Sequence, residues 1–219
     1  MVLWFCTQLS SFLAFVLFRR KVLHRERIPK TGAFIVASNH GSYLDPPLVG
    51  SCFSGDMHYF ARKTLWKKGF MAWLLDHLNC IPVDQDRPDM ASMKRVIKIL
   101  QEGGRVLLFP EGSRTEDGDL LPGQPGLGLM MAKAQVPVLP VRIFGAYESL
   151  PRWSDRLQLR KVTVVIGEPL LFDRGELSEA KGKAAYQQLS DQVMKAIGAL
   201  TLAGHSKRLP QPRTVDSRA

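Results

Sequence analysis

The fold is decided by residues 33–46, which read AFIVASNHGSYLDP. Residues 33–37 are apolar and include β-branched side chains, a composition typical of a buried strand. A polar turn follows, and Pro46 suits the first position of a helix, where an N–H would have no partner in any case. Because the residue before a proline is driven out of the helical conformation, we expect Asp45 to be the N-cap. This stretch therefore predicts a buried strand, a turn and a helix in succession.

The alternation of strand and helix continues along the chain. Apolar or β-branched runs predict further strands at 57–61, 105–109, 137–144 and 161–166, and helices are expected at 46–53, 65–78, 90–102 and 126–134. A last helix is expected over 178–200, with Ser178 as its N-cap and with Leu189, Val193 and Ile197 on one docking face. Strands that alternate with helices predict an α/β fold with a largely parallel sheet flanked by helices.

The N-terminal residues 2–18 are mostly apolar, and basic residues follow them rather than precede them, unlike the pattern of a cleaved signal peptide. Seventeen helical residues span roughly 26 Å, which is less than the hydrocarbon core of a bilayer. We expect a membrane-associated helix that lies in the interface or inserts at a shallow tilt; the alternative is a buried core helix of a soluble protein. Its polar residues gather on one side: Thr7, Gln8, Ser10 and Ser11.

The net charge of +10 and the sequence pI of about 9.8 predict an anionic partner. A cluster of basic residues at 19–30 directly follows the apolar helix, where it would meet anionic lipid headgroups. Zinc-finger, basic-zipper and aromatic RNA-binding patterns do not occur, so nucleic acid is not an expected partner. If the helix spans a membrane, the basic flank places the rest of the chain on the cytoplasmic face.

These features predict three parts: a membrane-associated segment at 1–27, one α/β domain at 28–204 and a disordered basic tail at 205–219. The chain has three cysteines, an odd number, and no two of them have Cys-x-x-Cys spacing: Cys6, Cys52 and Cys80. We therefore expect neither a disulfide framework nor a metal site.

His40 lies in the turn after the buried strand, which is where α/β folds place their sites. Asp45, five residues later, can fold back across such a turn, hold the imidazole in one tautomer and stabilise its protonated form. The pair is therefore a candidate general base with its orienting carboxylate. The alternative is that Asp45 serves only as the cap of the following helix.

A second polar motif, FPEGSR at 109–114, again follows a strand. The guanidinium of Arg114 is a fork that suits a phosphate, and Gly112 permits unusual backbone angles and a close approach by a ligand. This motif predicts an anion-binding loop. Taken alone, it is equally compatible with a solvent-facing loop that contains an Arg–Glu pair.

Together, Asn39-His40-x-Ser42-x-x-Asp45 and the later FPEGSR motif resemble the glycerolipid acyltransferase family. Two further blocks of that family are matched in order, by ARKTLWK at 61–67 with IPVD at 81–84 and by VPVLPV at 136–141. The resemblance covers about residues 28–170. It implies an α/β sandwich around a mixed sheet.

The resemblance also implies roles for single residues. His40 is the expected general base, and Asp45 is expected to orient it. The block at 136–141 is expected to help shape the acyl-donor site. Four residues are expected to bind the glycerol phosphate of the acceptor: Lys63, Glu111, Gly112 and Arg114.

The best-known members of this family move a fatty acyl group from acyl-CoA or acyl carrier protein to the free hydroxyl of 1-acyl-glycerol-3-phosphate. The product is phosphatidic acid, an intermediate of phospholipid biosynthesis. The resemblance therefore implies a membrane-associated acyltransferase with a lysophospholipid acceptor, an acyl thioester donor and no cofactor.

The second block departs from the family pattern. Thr64, Gly69 and Ala72 stand where a glutamate, a proline and a glycine are usual, and Gln85 replaces an arginine, although Arg87 lies two residues on. These departures leave open an acyltransferase with another lysolipid acceptor. They also leave open a lipid-binding membrane protein without catalysis.

Overall fold

The computed structural model describes residues 2–53, 57–66, 69–84 and 90–202. Within these residues seven strands form one sheet in the order β1-β7-β6-β2-β5-β3-β4. The strands are β1 (Lys21–Leu23), β2 (Phe34–Ser38), β3 (Met57–Arg62), β4 (Cys80–Val83), β5 (Arg105–Leu108), β6 (Val138–Phe144) and β7 (Thr163–Ile166). Every neighbouring pair is parallel except β6 with β7, which confirms the prediction of a mixed, largely parallel sheet.

Helices cover both faces of this sheet. They are α1 (Val2–Phe18), α2 (Asp45–Gly50), α3 (Phe70–His77), α4 (Met90–Gln101), α5 (Pro125–Ala134), α6 (Ala146–Ser149), α7 (Arg174–Glu179) and α8 (Gly182–Gly198). The helices α4, α5 and α8 pack on one face, whereas α1 and α2 pack on the other. The fold is therefore a layered α/β arrangement, as the alternation predicted.

The strand β2 lies at the centre of the sheet, and all five of its residues are buried. Alternate side chains of a strand point to opposite faces. Phe34 and Val36 accordingly join the core beneath α1 and α2, while Ile35 and Ala37 join the core beneath α4, α5 and α8. Burial on both faces requires a continuous apolar run, which is why this strand could be predicted from the sequence.

The predicted helix over 65–78 is wrong in its first half. Residues 63–65 form a 3-10 turn, and α3 begins only at Phe70. Gly69 precedes it with a φ of 112°, a backbone angle that favours glycine and that the interior of a helix does not allow.

The predicted helix over 178–200 is two helices. Asp173 caps α7 by accepting hydrogen bonds from the backbone N–H groups of Gly175 and Glu176, and α8 begins at Gly182. Ser178 lies inside α7, so its prediction as an N-cap is wrong. The docking face of α8 is confirmed, because its predicted residues Leu189, Val193 and Ile197 are buried in the core.

The N-terminal helix α1 turns its polar side toward the protein. Thr7 and Ser10 line a cavity, and the guanidinium of Arg20 joins Ser11 of α1 to Ser51 and to the carbonyl of Leu48 at the end of α2. Ala14 and Phe18 are buried in the core. The opposite side of α1 is apolar and exposed, which is the reverse of an ordinary surface helix.

Residues 21–23 form the edge strand β1, which pairs with β7. The segment predicted to end at residue 27 therefore shares its sheet and core with the following domain. Among the described residues, no helix is both long and apolar enough to cross a bilayer. The tail at 205–219 and Arg87 lie outside the described residues.

Candidate active site

The two polar motifs meet at one edge of the sheet. The strands β2 and β5 are parallel neighbours, with Ala37 paired to Leu108, so the segments that follow them emerge side by side. The backbone N–H of Thr115 donates a hydrogen bond of 3.0 Å to the carbonyl of His40, which joins the two segments directly. The carboxyl ends of adjacent parallel strands thus bring together residues that are far apart in the sequence.

His40 and Asp45 form a hydrogen-bonded pair. The Nδ1 of His40 lies 2.8 Å from the Oδ2 of Asp45, and the carboxylate is fully buried. A carboxylate accepts only, so the imidazole donates through Nδ1 and keeps an unprotonated Nε2 when it is neutral. Nε2 has no hydrogen-bond partner among the described residues, and His40 lines an open cavity. This nitrogen is free to take a proton from a bound substrate.

The same carboxylate oxygen builds the turn. The Oδ2 of Asp45 also accepts the backbone N–H groups of Gly41, at 2.7 Å, and of Ser42, at 2.8 Å. One buried oxygen therefore fixes both the backbone of the turn and the orientation of the imidazole at its start. The other oxygen, Oδ1, is buried and has no partner among the described residues.

Asp45 does not cap α2, and that prediction is wrong. Pro46 and Pro47 have no backbone N–H, and the N–H of Leu48 donates to the carbonyl of Leu44. The first turn of the helix therefore offers no donor for a side-chain cap. The carboxylate of Asp45 is instead directed back into the preceding turn.

Further contacts hold the turn in place. The side chain of Asn39 exchanges two hydrogen bonds with the backbone of Ile143 in β6. The hydroxyl of Ser42 is fully buried and donates to the carbonyl of Leu150, which argues against Ser42 as an acylated nucleophile. The ring of Phe109 stacks on the imidazole of His40, with 4.0 Å between ring centroids. The imidazole is thus supported on one face by an apolar ring.

Glu111 is buried behind the turn of residues 39–45, the candidate catalytic turn, and does not line the cavity. Its Oε1 accepts the backbone N–H of His40, at 2.8 Å, and its Oε2 accepts that of Leu121, at 3.0 Å. Burial raises the pKa of Glu111 to about 7, while the two backbone hydrogen bonds act in the opposite direction. The geometry gives Glu111 a positioning role through His40, which differs from its predicted contact with the acceptor.

Arg114 lies in the same cavity as His40. Its guanidinium carbon sits 3.4 Å from the centroid of the Tyr43 ring, and its Nη1 is buried without a hydrogen-bond partner among the described residues. A buried guanidinium nitrogen without an acceptor is costly, and a phosphate oxygen would satisfy it. Gly112 also lines this cavity, and its φ of 73° is one that glycine adopts readily.

Lys63 does not line the cavity, although its neighbours Arg62 and Thr64 do. The side chain of Lys63 is exposed at the start of the 3-10 turn that follows β3. Arg152 is a cavity residue that the motifs did not indicate, and its guanidinium lies 3.6 Å from the carboxylate of Glu116. It belongs to a loop without a recognisable pattern, so no signal in the sequence marked it.

The cavity has a volume of about 510 Å³ and a mixed lining. His40 lines it together with the cations Arg62, Arg114 and Arg152. Apolar side chains from α1, β3 and the α3 segment line it too, among them Leu3, Phe60, Leu75 and Leu78. A proton acceptor, an anion site and an apolar pocket thus lie in one cavity, as a reaction between lipids requires.

Comparison with known proteins decides the class. A family model described as acyltransferase matches residues 19–144, which is more than half of the chain and includes both polar motifs. The chain belongs to the acyltransferase family. It is an enzyme of that class.

Individual relatives of this acyltransferase are distant in sequence. The 1-acyl-sn-glycerol-3-phosphate acyltransferase of Bacillus subtilis is 28% identical over 179 residues, which cover 81% of this chain and 87% of the relative. A chloroplastic enzyme of the same name from Brassica napus is 27% identical over 80% of this chain, and the match spans 53% of the relative. The acyltransferase described here therefore spans about half the length of the chloroplastic protein.

A solved structure shares the fold. The crystal structure of the 1-acyl-sn-glycerophosphate (LPA) acyltransferase from Thermotoga maritima superimposes with a TM-score of 0.71. The alignment has 27% identity and covers 88% of this chain and 76% of that one. The implied α/β fold of the acyltransferase is thereby confirmed over most of its length.

Proposed function

We propose that this acyltransferase moves a fatty acyl group from a thioester donor to the free hydroxyl of 1-acyl-glycerol-3-phosphate, which gives phosphatidic acid. The observation that carries the proposal is one shared cavity. His40, paired with the buried carboxylate of Asp45, and Arg114, with its unpartnered Nη1, both line it. The names of the relatives from B. subtilis and T. maritima support the same acceptor.

Transfer proceeds directly, without a covalent acyl-enzyme. The Nε2 of His40 takes the proton of the acceptor hydroxyl while the hydroxyl oxygen attacks the thioester carbonyl carbon. The tetrahedral intermediate then expels the thiolate, which receives the proton from the imidazolium, so a C–O bond replaces the C–S bond. Asp45 stabilises the imidazolium between these steps, and positioned proton transfer of this kind contributes about 10² to 10⁴ in rate.

The test is an acyl-transfer assay with purified protein in detergent micelles. Radiolabelled acyl-CoA is offered with lysophosphatidate, lysophosphatidylcholine, lysophosphatidylethanolamine and monoacylglycerol, and products are separated by thin-layer chromatography. We expect phosphatidate to dominate. A higher kcat/KM with another lysolipid would reassign the acceptor, and no product with any acceptor would indicate a lipid-binding protein.

Arg114→Ala should raise the KM for lysophosphatidate roughly 10- to 100-fold with little change in kcat, because a charge-assisted contact to the phosphate is lost. Arg114→Lys should restore the KM only partly, since a single ammonium group replaces the two-pronged guanidinium fork. The measurement is steady-state kinetics with varied acceptor, and Arg174→Ala on the exposed helix α7 is the control. An unchanged KM for lysophosphatidate in both Arg114 variants would remove this residue from the phosphate site.

We also propose that α1 rests in a membrane surface, with the enzyme on the cytoplasmic face. On the outward side of this helix Trp4, Phe12 and Phe15 are each more than 60% exposed to solvent. A contiguous apolar patch of this kind is uncommon on a soluble monomer and typical of a lipid-facing surface. The basic segment after α1 contributes partly to the fold, because Arg27 binds the carboxylate of Glu168 at 2.9 Å. The side chains of Arg19, Arg25 and Lys30 in this segment are exposed and available to anionic headgroups.

The triple variant Trp4→Ser, Phe12→Ser, Phe15→Ser should weaken binding to anionic vesicles by roughly 10²-fold, because three exposed aromatic rings no longer enter the bilayer. The inner side of α1 stays intact, so the rate with a short-chain, soluble lysophosphatidate should remain parental. Vesicle sedimentation and activity are measured together. Leu171→Ser, another exposed apolar residue, is the control and should bind like the parent. Parental vesicle binding by the triple variant would show that α1 is not the anchor.

A further inference from the structure

A second, larger cavity lies at the same sheet edge as the catalytic turn. It has a volume of about 910 Å³, and we call it the basic cleft. It is defined by Lys21, Tyr147, Trp153, Arg160 and Lys161. Four of these five residues lie beyond the segment that the acyltransferase family model matches. The acceptor site described above leaves this cleft unexplained.

The strand order places the cleft within reach of His40. The carboxyl ends of β2 and β6 lie at one edge, and the antiparallel β7 brings its first residue, Thr163, to that edge beside Phe144. Lys21 of β1 pairs with Thr163, so it lies there too. From β2 to β1 there are three strand spacings, or about 14 Å. The first cavity extends along the opposite half of the same edge, toward β3 and β4.

Tyr147 connects the cleft to the catalytic turn. Gly41, the neighbour of His40, packs so closely against it that a Cβ on Gly41 would lie 3.2 Å from the Cβ of Tyr147. The hydroxyl of Tyr147 donates to the carbonyl of Glu116 at 2.7 Å, which holds the ring beside the loop of the second motif. A residue that lines the cleft is therefore in direct contact with the turn that carries His40.

The charge of the cleft is positive. Lys21 and Lys161 have no salt-bridge partner among the residues that the structure describes, and Arg160 bonds only to the neutral amide oxygen of Gln158. Among the described residues that line the cleft, Glu148 alone is acidic. Three cations against one carboxylate favour a ligand with more than one negative charge.

Trp153 adds an aromatic surface to these cations. Its side chain is 74% exposed, and its indole N–H lies 3.5 Å from the hydroxyl of Tyr147 at the limit of a hydrogen bond. Exposed indole and phenol rings offer faces on which a nucleobase can stack. Cations beside an exposed aromatic face can bind a nucleotide, because the cations contact its phosphates and the ring stacks on its base.

We propose that the basic cleft binds the nucleotide end of coenzyme A, while the thioester of the same donor molecule lies at His40. The 3′-phosphate and the pyrophosphate contact Lys21, Arg160 and Lys161, and the adenine stacks on Trp153. The pantetheine arm crosses beside Tyr147 and Gly41. The proposal rests on acyl transfer from a thioester as the function of the enzyme.

This assignment separates the two substrates in space. The acceptor phosphate lies with Arg114 in the first cavity, and the donor phosphates lie in the cleft, so the two anions do not compete for one cation. The donor and the acceptor then approach His40 from the two halves of one sheet edge. The cleft volume lies near the upper limit of small-ligand sites, as a molecule of the size of coenzyme A requires.

The test is the double variant Arg160→Gln, Lys161→Gln. We expect its KM for a short-chain acyl-CoA to rise roughly tenfold, because two charge-assisted contacts in an open cleft are lost. The KM for lysophosphatidate should not change. With an acyl-N-acetylcysteamine thioester, a donor without phosphates or adenine, the double variant and the parent should have equal rates. Arg156→Gln, on the same loop but outside the cleft lining, is the matched control and should behave as the parent.

A binding measurement makes the proposal independent of activity. Adenosine 3′,5′-bisphosphate, which carries the adenosine, the 3′-phosphate and the inner 5′-phosphate of coenzyme A, should bind the parent in calorimetry and compete with acyl-CoA. The double variant should bind it roughly tenfold more weakly, and Trp153→Ala should also weaken it. If the parent binds this nucleotide in a variant-dependent way yet acylates no lysolipid, the cleft is assigned correctly and the proposed function is wrong.

Three results would overturn the proposal. One is equal binding of adenosine 3′,5′-bisphosphate by the parent and the double variant. Another is an equal loss of rate with acyl-CoA and with the truncated thioester in a double variant that unfolds at the temperature of the parent, which would show that the two cations do not act through the phosphates or the adenine of the donor. The third is a raised KM for acylated acyl carrier protein with an unchanged KM for acyl-CoA, which would assign the cleft to the carrier protein.

Discussion

His40→Ala should lower kcat by at least about 10² with lysophosphatidate as acceptor, because the described residues that line the cavity include no other histidine and no carboxylate that could take the proton of the hydroxyl. Nδ1 of His40 is held by Asp45 at 2.8 Å, and Nε2 is the only ring nitrogen left for the acceptor. A loss confined to kcat would identify an interaction that acts in the transition state. The measurement is steady-state kinetics with both substrates varied.

His40→Asn is the matched control for structure. Its amide N–H can still donate to Asp45, as Nδ1 of His40 does, but the amide cannot take a proton. We expect this variant to be as slow as His40→Ala while unfolding at a temperature closer to that of the parent. A parental rate in either variant would refute the proposed mechanism for this acyltransferase.

The central part of the fold could be predicted because its physical signals are local. The strand β2 is buried on both faces, and such a strand is a continuous apolar run in any sequence. The edge strand β1 was not predicted, since it has three residues, begins with Lys21 and depends on a partner strand more than a hundred residues away. The last helix was predicted as one element, so the break between α7 and α8 was missed, and the cap at the start of α7 is Asp173 rather than Ser178.

The candidate site shows the same division between local and long-range information. The pairing of His40 with Asp45 could be predicted from a five-residue spacing across one turn. The burial of Glu111 could not, because it depends on the backbone of Leu121 and on the backbone of His40 in a turn about seventy residues earlier in the chain. The basic cleft could not be predicted either, since the pairing of β1 with β7 brings Lys21 next to the loop that contains Arg160 and Lys161, far along the chain.

The composition of the N-terminal helix α1 did not decide whether it lies in a membrane surface or in a protein core. The sequence placed the polar residues of α1 on one side of the helix without indicating what that side contacts, and in the structure Thr7 and Ser10 line the cavity beside His40. Because the polar side of this helix lines the cavity, its apolar side faces outward, where lipid is the more favourable surroundings. This orientation favours the membrane-surface interpretation over that of a buried core helix, because the outer aromatic rings are exposed in the folded protein.

Asp45→Asn should lower kcat by about 10² or more and the free energy of unfolding by only about 1–3 kcal/mol. If its amide oxygen takes the place of Oδ2, it can still accept the N–H groups of Gly41 and Ser42 and the Nδ1–H of His40. Its amide nitrogen then takes the place of the buried Oδ1, which has no partner among the described residues. The turn therefore persists with weaker hydrogen bonds, while the charge that stabilises the imidazolium is lost.

Asp45→Ala should be far more damaging to the fold than Asp45→Asn. It leaves the buried N–H groups of Gly41 and Ser42 without an acceptor, at about 1–3 kcal/mol each, against a typical total stability of about 5–15 kcal/mol. Asp173→Asn is the control, because Asp173 is a helix cap and asparagine caps almost equally well. Urea unfolding and kcat are measured on all three variants. If Asp45→Asn resembles Asp173→Asn in both measurements, the carboxylate of Asp45 contributes nothing to catalysis.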